Sequence, residues 1–215
     1  MEKQTDEFLF RGASAYVTAS RATASRDQGE ETVIDLKPAC RQMIDVLAGV
    51  SDEQLTSPTR CTEYTVRDLI THVDEASRGF SGIARKDTDT AAAEPAAANL
   101  GDDWRGSVAE NVRALGDAWD DPAAWQGRTD AAGVDLPNDT WGKIALTEMV
   151  VHGWDLARAT DQPFDLPDDT LRACYAHVAT FVPNAPVEGL WGPAVEVPTD
   201  APLIDRIVAI TGRHP

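Results

Sequence analysis

A chain of 215 residues with a formal net charge of −17 repels phosphate backbones and anionic membrane surfaces, which excludes nucleic acid and membranes as expected partners and points to a soluble cytoplasmic protein. Three cysteines, Cys40, Cys61 and Cys174, are too sparse and too odd in number for a secreted disulfide framework. No apolar run reaches transmembrane length, and a start carrying Glu2, Asp6 and Glu7 is unlike a secretory signal.

In chain order, residues 1–32 have a polar, small-residue bias and weak periodicity, and are predicted to be a flexible N-terminal extension with a short helix around 8–19. One folded domain, 33–215, follows. A first helix is predicted over 36–47, with Asp35 at its start, Pro38 in the first turn, and Ala39, Cys40, Met43, Ile44 and Leu47 at helical spacing. The loop 50–64 carries a single turn at 52–55. A second helix opens at Thr65, where Asp68 three residues on makes a variant capping box, and ends near Arg85.

Residues 86–102, rich in Ala, Asp and Thr, read as a flexible connection, and a third helix covers 104–119. Residues 120–139 hold Pro, Gly and Asn and are predicted to be loop. A fourth helix runs over 143–160 and a fifth over 169–182, capped by Asp168 or Asp169. An irregular Pro-rich stretch spans 183–199, in which 194–197 is the one weak strand candidate. A last short helix over 201–211 stops at Gly212. There is no internal repeat. These elements predict an all-α fold, an antiparallel four-helix bundle with short C-terminal additions.

The fourth helix concentrates the chemistry. Glu148 and His152 lie four residues apart, on one face about a turn from each other, and so form either half of a metal site or an acid/base pair. Apolar residues cover most of the rest of the helix, which buries the pair at the bundle interior or a cleft mouth. A buried carboxylate must be paired, hydrogen-bonded or bound to a cation. Of the four histidines, His214 is expected in solvent and His177 as a half-buried residue of the fifth helix. His72, in the second helix, can complete a set of two histidines and one carboxylate, the donor types of catalytic zinc sites; iron and nickel accept the same ligands.

Asp155, one turn on, can orient an imidazole or make an interhelical hydrogen bond. Trp141 shares the stripe of Glu148 and can line a pocket. Gly153, costing about 1 kcal/mol relative to Ala within a helix, points to close helix approach. Arg78 and Arg158 can meet an anionic substrate, though surface ion pairs are the simpler expectation for both. Cys61 fits a small buried hydrophobe better than a reactive thiol.

The stretch Pro58-Thr-Arg-Cys-Thr-Glu-Tyr-Thr-Val-Arg-Asp-Leu-Ile-Thr-His72 resembles the Thr-Pro-Cys-x-Trp-x-Val-x-Asp-Leu-x-x-His signature of actinobacterial DinB-like proteins, with Tyr64 where Trp is usual and Arg60 where Pro is. Residues 148–159, beginning Glu-Met-Val-Val-His-Gly-Trp-Asp, resemble that family's second signature. The ending Asp205-Arg-Ile-Val-Ala-Ile-Thr-Gly-Arg-His-Pro215 is similar to its C-terminal segment. The resemblance is to the metal-binding DinB-like group that includes the N-terminal domain of mycothiol-dependent maleylpyruvate isomerase. It implies a four-helix bundle holding a divalent metal, usually zinc, with His72, Glu148 and His152 in the positions of the ligands.

It further implies a low-molecular-weight thiol, mycothiol or bacillithiol, as cosubstrate. The expected activity is S-transfer or isomerisation of a small molecule, in specialised metabolism for some members. The nucleophile would be a metal-bound water or thiol. Catalysis in the isomerase also draws on a second domain whose residues have no counterpart among these 215, so the metal site transfers better than the reaction does. The alternative reading is a non-catalytic metal- or ligand-binding module with Asp155 as a fourth ligand. Either protein is expected as a monomer or homodimer.

Overall fold

The computed structural model describes residues 33–61, 64–87, 100, 101, 103–131, 133–184 and 191–215; the predicted extension 1–32 and most of the predicted connection 86–102 lie outside the described residues. Helix α1 (Lys37–Gly49) begins where Asp35 Oδ1 accepts the Lys37 N–H at 2.9 Å, and it buries Ala39, Cys40, Met43, Val46 and Leu47. A 3-10 turn at Asp52–Thr56 occupies the site of the predicted single turn. Helix α2 (Val66–Arg85) starts with the predicted capping box. Asp68 N–H donates to Thr65 Oγ1 at 3.3 Å, and Asp68 Oδ2 accepts the Thr65 N–H at 3.0 Å, so two of the donors that a helix start leaves over are satisfied. Helix α3 (Trp104–Ala118) ends one residue before its predicted end.

The predicted loop 120–139 is corrected. It contains a 3-10 turn at Pro122–Trp125 and a two-stranded antiparallel hairpin, β1 (Arg128–Ala131) and β2 (Val134–Pro137), with Thr129 opposite Leu136 and Ala131 opposite Val134. Thr129, Ala131, Val134 and Leu136 face inward, while Arg128, Asp130 and Asp135 face solvent. The strand suggested at 194–197 does not form; Val195 N–H donates to Ala209 C=O at 2.9 Å as an isolated bond.

Helix α4 (Asn138–Ala159) consequently starts five residues before its predicted beginning. Asn138 is buried at the junction. Its N–H donates to Gly127 C=O, its Nδ2 to Ala124 C=O, and its Oδ1 accepts from Thr129 Oγ1, so the hairpin hands directly into the helix. Helix α5 (Asp168–Phe181) has no side-chain cap, contrary to the role predicted for Asp168 or Asp169. Its N-terminal neighbour is Pro167, and both acids lie in the first turn, where the helix dipole favours negative charge. Helix α6 (Leu203–Ile210) is a shorter version of the predicted final helix.

Helices α1 and α2 each pack against both α3 and α4, forming a four-helix bundle; α5 is added against α4, and α6 packs on α5. Lys37 at the start of α1 pairs with Asp120 beyond the end of α3, and Arg105 at the start of α3 donates to Val50 C=O beyond the end of α1, so these two helices are antiparallel. His72 and Phe80 of α2 meet Glu148 and Trp141 of α4 in reverse order, so that pair is antiparallel too. Asp74 and Phe80 meet Asn111 and Trp119 in the same order, so α2 and α3 run together. A same-direction pair needs a connection that returns the length of a helix, and the number of residues between Arg85 and Trp104 is sufficient for that span. No helix among the described residues is long and apolar enough to cross a membrane.

Gly153 is placed by an aromatic ring, not by the helix approach predicted for it. A Cβ there would lie 2.7 Å from Phe164 Cε2, in the segment that leaves α4. Gly212 has φ +87°, and a Cβ would lie 2.6 Å from Gly192 Cα. Only glycine suits both its left-handed turn and that contact, and the turn it makes sends Arg213 back into the protein.

Candidate metal centre

The face of α4 that carries Glu148, His152 and Asp155 is buried, as is nearly all of the helix from Trp141 to Ala157. Across the bundle, α2 presents His72. Its Nε2 lies 3.0 Å from Glu148 Oε2, and His152 Nε2 lies 3.2 Å from the same oxygen. Among the described residues, the acidic, thiol and imidazole side chains that converge closely enough to hold a metal ion are these three, with one donor atom from each lying within 4.8 Å of the others. An ion bound at roughly 2.0–2.1 Å from nitrogen and oxygen in a tetrahedral shell separates neighbouring donors by roughly 3.3 Å. The two short separations, 3.0 and 3.2 Å, are close to that edge, so the donor set is compatible in spacing with a divalent cation.

The electrostatics suit the same purpose. Burial pushes the Glu148 carboxyl up, but the adjoining imidazoles of His152 and His72 pull it further down, so it stays ionised. Burial lowers His152, yet Glu148 and Asp155 together outweigh it and raise the imidazole. His152 Nδ1 lies 3.1 Å from Asp155 Oδ2. A carboxylate can only accept, so Nδ1 carries a proton and, in the neutral ring, the lone pair sits on Nε2, facing Glu148.

Asp155 is itself held by a residue that sequence reasoning did not single out. Arg213 Nη2 donates to Asp155 Oδ2 at 3.0 Å, its Nε reaches Oδ1 at 3.4 Å, and its Nη1 donates to Thr211 C=O at 2.8 Å. Burial raises the Asp155 carboxyl, and His152 and Arg213 reverse this and lower it. The guanidinium lies 5.8 Å from the Trp191 ring, whose Nε1 is buried with no hydrogen-bond partner among the described residues. The available signal was an arginine directly after a helix-stopping glycine, within the C-terminal segment already noted.

The other nominated residues lie elsewhere. Arg78 makes an i, i+4 pair with Asp74 at 2.9 Å, and Arg158 is exposed over the Trp154 ring, so neither reaches the cluster. Trp141 packs on Phe80 and donates Nε1 to Thr129 C=O at 3.0 Å, as part of the core between hairpin and helix. Burial pushes the Cys40 and Cys174 thiols up to about 12, which makes them inert, while Cys61 is partly buried in the turn before α2. His214 is exposed, as predicted.

His177 is more deeply buried than predicted and stacks on Phe181 at 4.7 Å. Burial, with Lys143 nearby, lowers it from 6.5 to about 4. The unfolded chain therefore takes up a proton that the folded one refuses. The stability involved is intact above about 6.5 and lost as the pH falls toward about 4, by roughly 3 kcal/mol at most. Urea titrations between pH 7 and pH 4 should show a shallower decline for His177→Gln than for wild type; parallel declines would place the acid sensitivity elsewhere.

Sequence comparison agrees with this architecture: the mycothiol maleylpyruvate isomerase N-terminal domain family matches residues 36–157, which span α1 to α4 and all three clustered side chains. The chain belongs to this family. Two uncharacterised proteins of Mycobacterium tuberculosis, from strains H37Rv and CDC 1551, are each 29% identical to it over 179 residues, covering 78% of this chain and 90% of theirs. No solved structure gives a significant match. The family match ends at residue 157, so Asp155 falls within it and Arg213 beyond it.

Proposed function

We propose that this protein is a metal-dependent enzyme in which His72, Glu148 and His152 hold a divalent cation, zinc by donor type, with nickel or iron as chemically competent substitutes. The cosubstrate is a low-molecular-weight thiol of the mycothiol type, and the reaction is S-transfer to, or thiol-assisted isomerisation of, a small electrophilic molecule. The observation that carries this reading is the convergence of two imidazole nitrogens on one buried carboxylate oxygen, while Asp155 is turned away from the cluster by Arg213.

A cation in such a site lowers the pKa of a thiol or water bound to it and so supplies an anionic nucleophile at neutral pH. The protein's part is to prepare for that charge. Glu148 offsets only one of the cation's two positive charges, which leaves a net attraction for a thiolate. Asp155 keeps the proton of His152 on Nδ1 and leaves Nε2 free to donate its lone pair. The burial of Glu148 and His152 strengthens both effects.

A non-catalytic module with closed coordination needs a fourth protein donor. Asp155, the residue nominated for that part, is engaged at Nδ1 of His152 and by Arg213, on the far side of the imidazole from Nε2. A position for an exogenous ligand is what favours an enzyme. Protein purified without chelators is expected to carry about one equivalent of divalent metal. Elemental analysis that finds no stoichiometric metal would sink the proposal. Metal without turnover of any thiol against electrophilic acceptors would favour the module.

A further inference from the structure

The two histidines of the cluster are supported in different ways. His152 is tied at Nδ1 to Asp155, whereas the described residues offer the other nitrogen of His72 no comparable carboxylate. His72 is also the most open of the three donors, its side chain 14% exposed against 8% for His152 and 4% for Glu148. An imidazole on a helix surface with one hydrogen bond can rotate out of position at little cost. What packs against it is the ring of Tyr64, stacked at 5.7 Å between centroids with the planes 26° apart, while His152 meets it edge-on at 4.9 Å.

Tyr64 is fixed by its own turn. Its N–H donates to Cys61 C=O at 2.9 Å, and its C=O accepts from Thr59 N–H at 3.2 Å and Thr59 Oγ1 at 2.9 Å. The turn is closed by the bridge between Pro58 and Thr65 and by Val66 N–H donating to Ser57 C=O at 2.9 Å. Thr65 then caps α2, so the capping box sets the angle between the turn and the helix that bears His72.

We infer that Tyr64 is a positioning residue for the cation site: its ring, carried on a backbone that Thr59 holds at the carbonyl, keeps the His72 imidazole turned so that Nε2 faces Glu148 and His152. This rests on reading the cluster as a cation site, and assigns to a ring in the turn before α2 the work that a carboxylate does on α4.

The test is the affinity of the full chain for Zn2+ or Co2+, measured by competition with a chromophoric chelator. Tyr64→Phe keeps the ring and is expected to bind within about threefold of wild type, whereas Tyr64→Ala should bind about 10–100-fold more weakly, the range for residues that orient a ligand. Thr59→Val, which removes the hydroxyl that faces the Tyr64 and Cys61 carbonyls and accepts from the Cys61 N–H, should fall between them. Melting of the metal-free variants separates this from a general loss of fold; where Tyr64→Ala does not fold, Tyr64→Leu, which keeps apolar bulk without a planar face, carries the same expectation. The visible spectrum of bound Co2+ should also change in the Ala or Leu variant, as the donor geometry relaxes.

A folded Tyr64→Ala or Tyr64→Leu protein with wild-type affinity overturns the inference, and so does Tyr64→Phe binding as weakly as Tyr64→Ala. Wild-type protein that binds no cation removes the reading of the site itself, and this inference with it; wild-type binding beside an unaffected variant removes the inference alone.

Discussion

Glu148→Gln is expected to lose more affinity for a divalent cation than the about 10–100-fold typical of residues that merely orient a ligand. The amide keeps the size of the carboxylate and can still hydrogen-bond across the bundle, but it removes the one negative charge among the three donors. Glu148 is 4% exposed and sits against both imidazoles, so no water or neighbouring group can replace it. His152→Ala should lose the cation as well, since it removes a donor outright.

The measurement is a pair of melting curves for each protein, with and without metal. At a free concentration near 100 times Kd, a cation that binds only the folded state stabilises wild type by about 2.7 kcal/mol. In a domain of this size that is roughly 5–10 °C. The variants should show almost none of that increment while folding normally without metal. A Glu148→Gln protein that still gains the full increment would falsify the ligand assignment.

Asp155→Ala should be the most damaging substitution to the metal-free fold. It leaves the guanidinium of Arg213 buried, with Thr211 C=O as its remaining polar partner within hydrogen-bond distance among the described residues. Stranding one member of a buried ion pair costs about 3–5 kcal/mol. With roughly 2–4 °C of melting temperature per kcal/mol in a domain of 150–250 residues, the fall is about 10 °C. Arg213→Met should cost less, because the raised pKa of His152 lets an imidazolium take over part of the compensation.

The double variant Asp155→Ala/Arg213→Met, which removes both charges, should be more stable than the sum of the two single losses predicts, by about 0.5–3 kcal/mol. Strictly additive losses would mean that the pair is not coupled and that the C-terminal segment is held by apolar contacts alone.

Much of the site was open to sequence reasoning because it is local. Thr65 and Asp68 announce a helix start through side-chain chemistry that works within one turn. Glu148 and His152 share a face because helical geometry fixes the direction of residues four apart. The hairpin at residues 128–137 was missed for an equally local reason. Its strands are four residues each, and the inward positions of the first are Thr129 and Ala131, too weakly apolar to show a period of two. Reading that stretch as loop in turn put the start of α4 five residues late, although Asn138 anchors it through three hydrogen bonds.

By itself the sequence determined the helices, the capping box of α2 and the pairing of a carboxylate with an imidazole, since each depends on side-chain chemistry, dihedral preferences and hydrophobic period within a few residues. The tertiary structure decided that α2 and α3 run in the same direction and that His72 meets an oxygen 76 residues away. It also decided that Tyr64 lies on His72, and that Arg213 closes onto Asp155 across 58 residues. Those contacts depend on which faces pack together and at what rotation, and neither is encoded in the periodicity of any one segment.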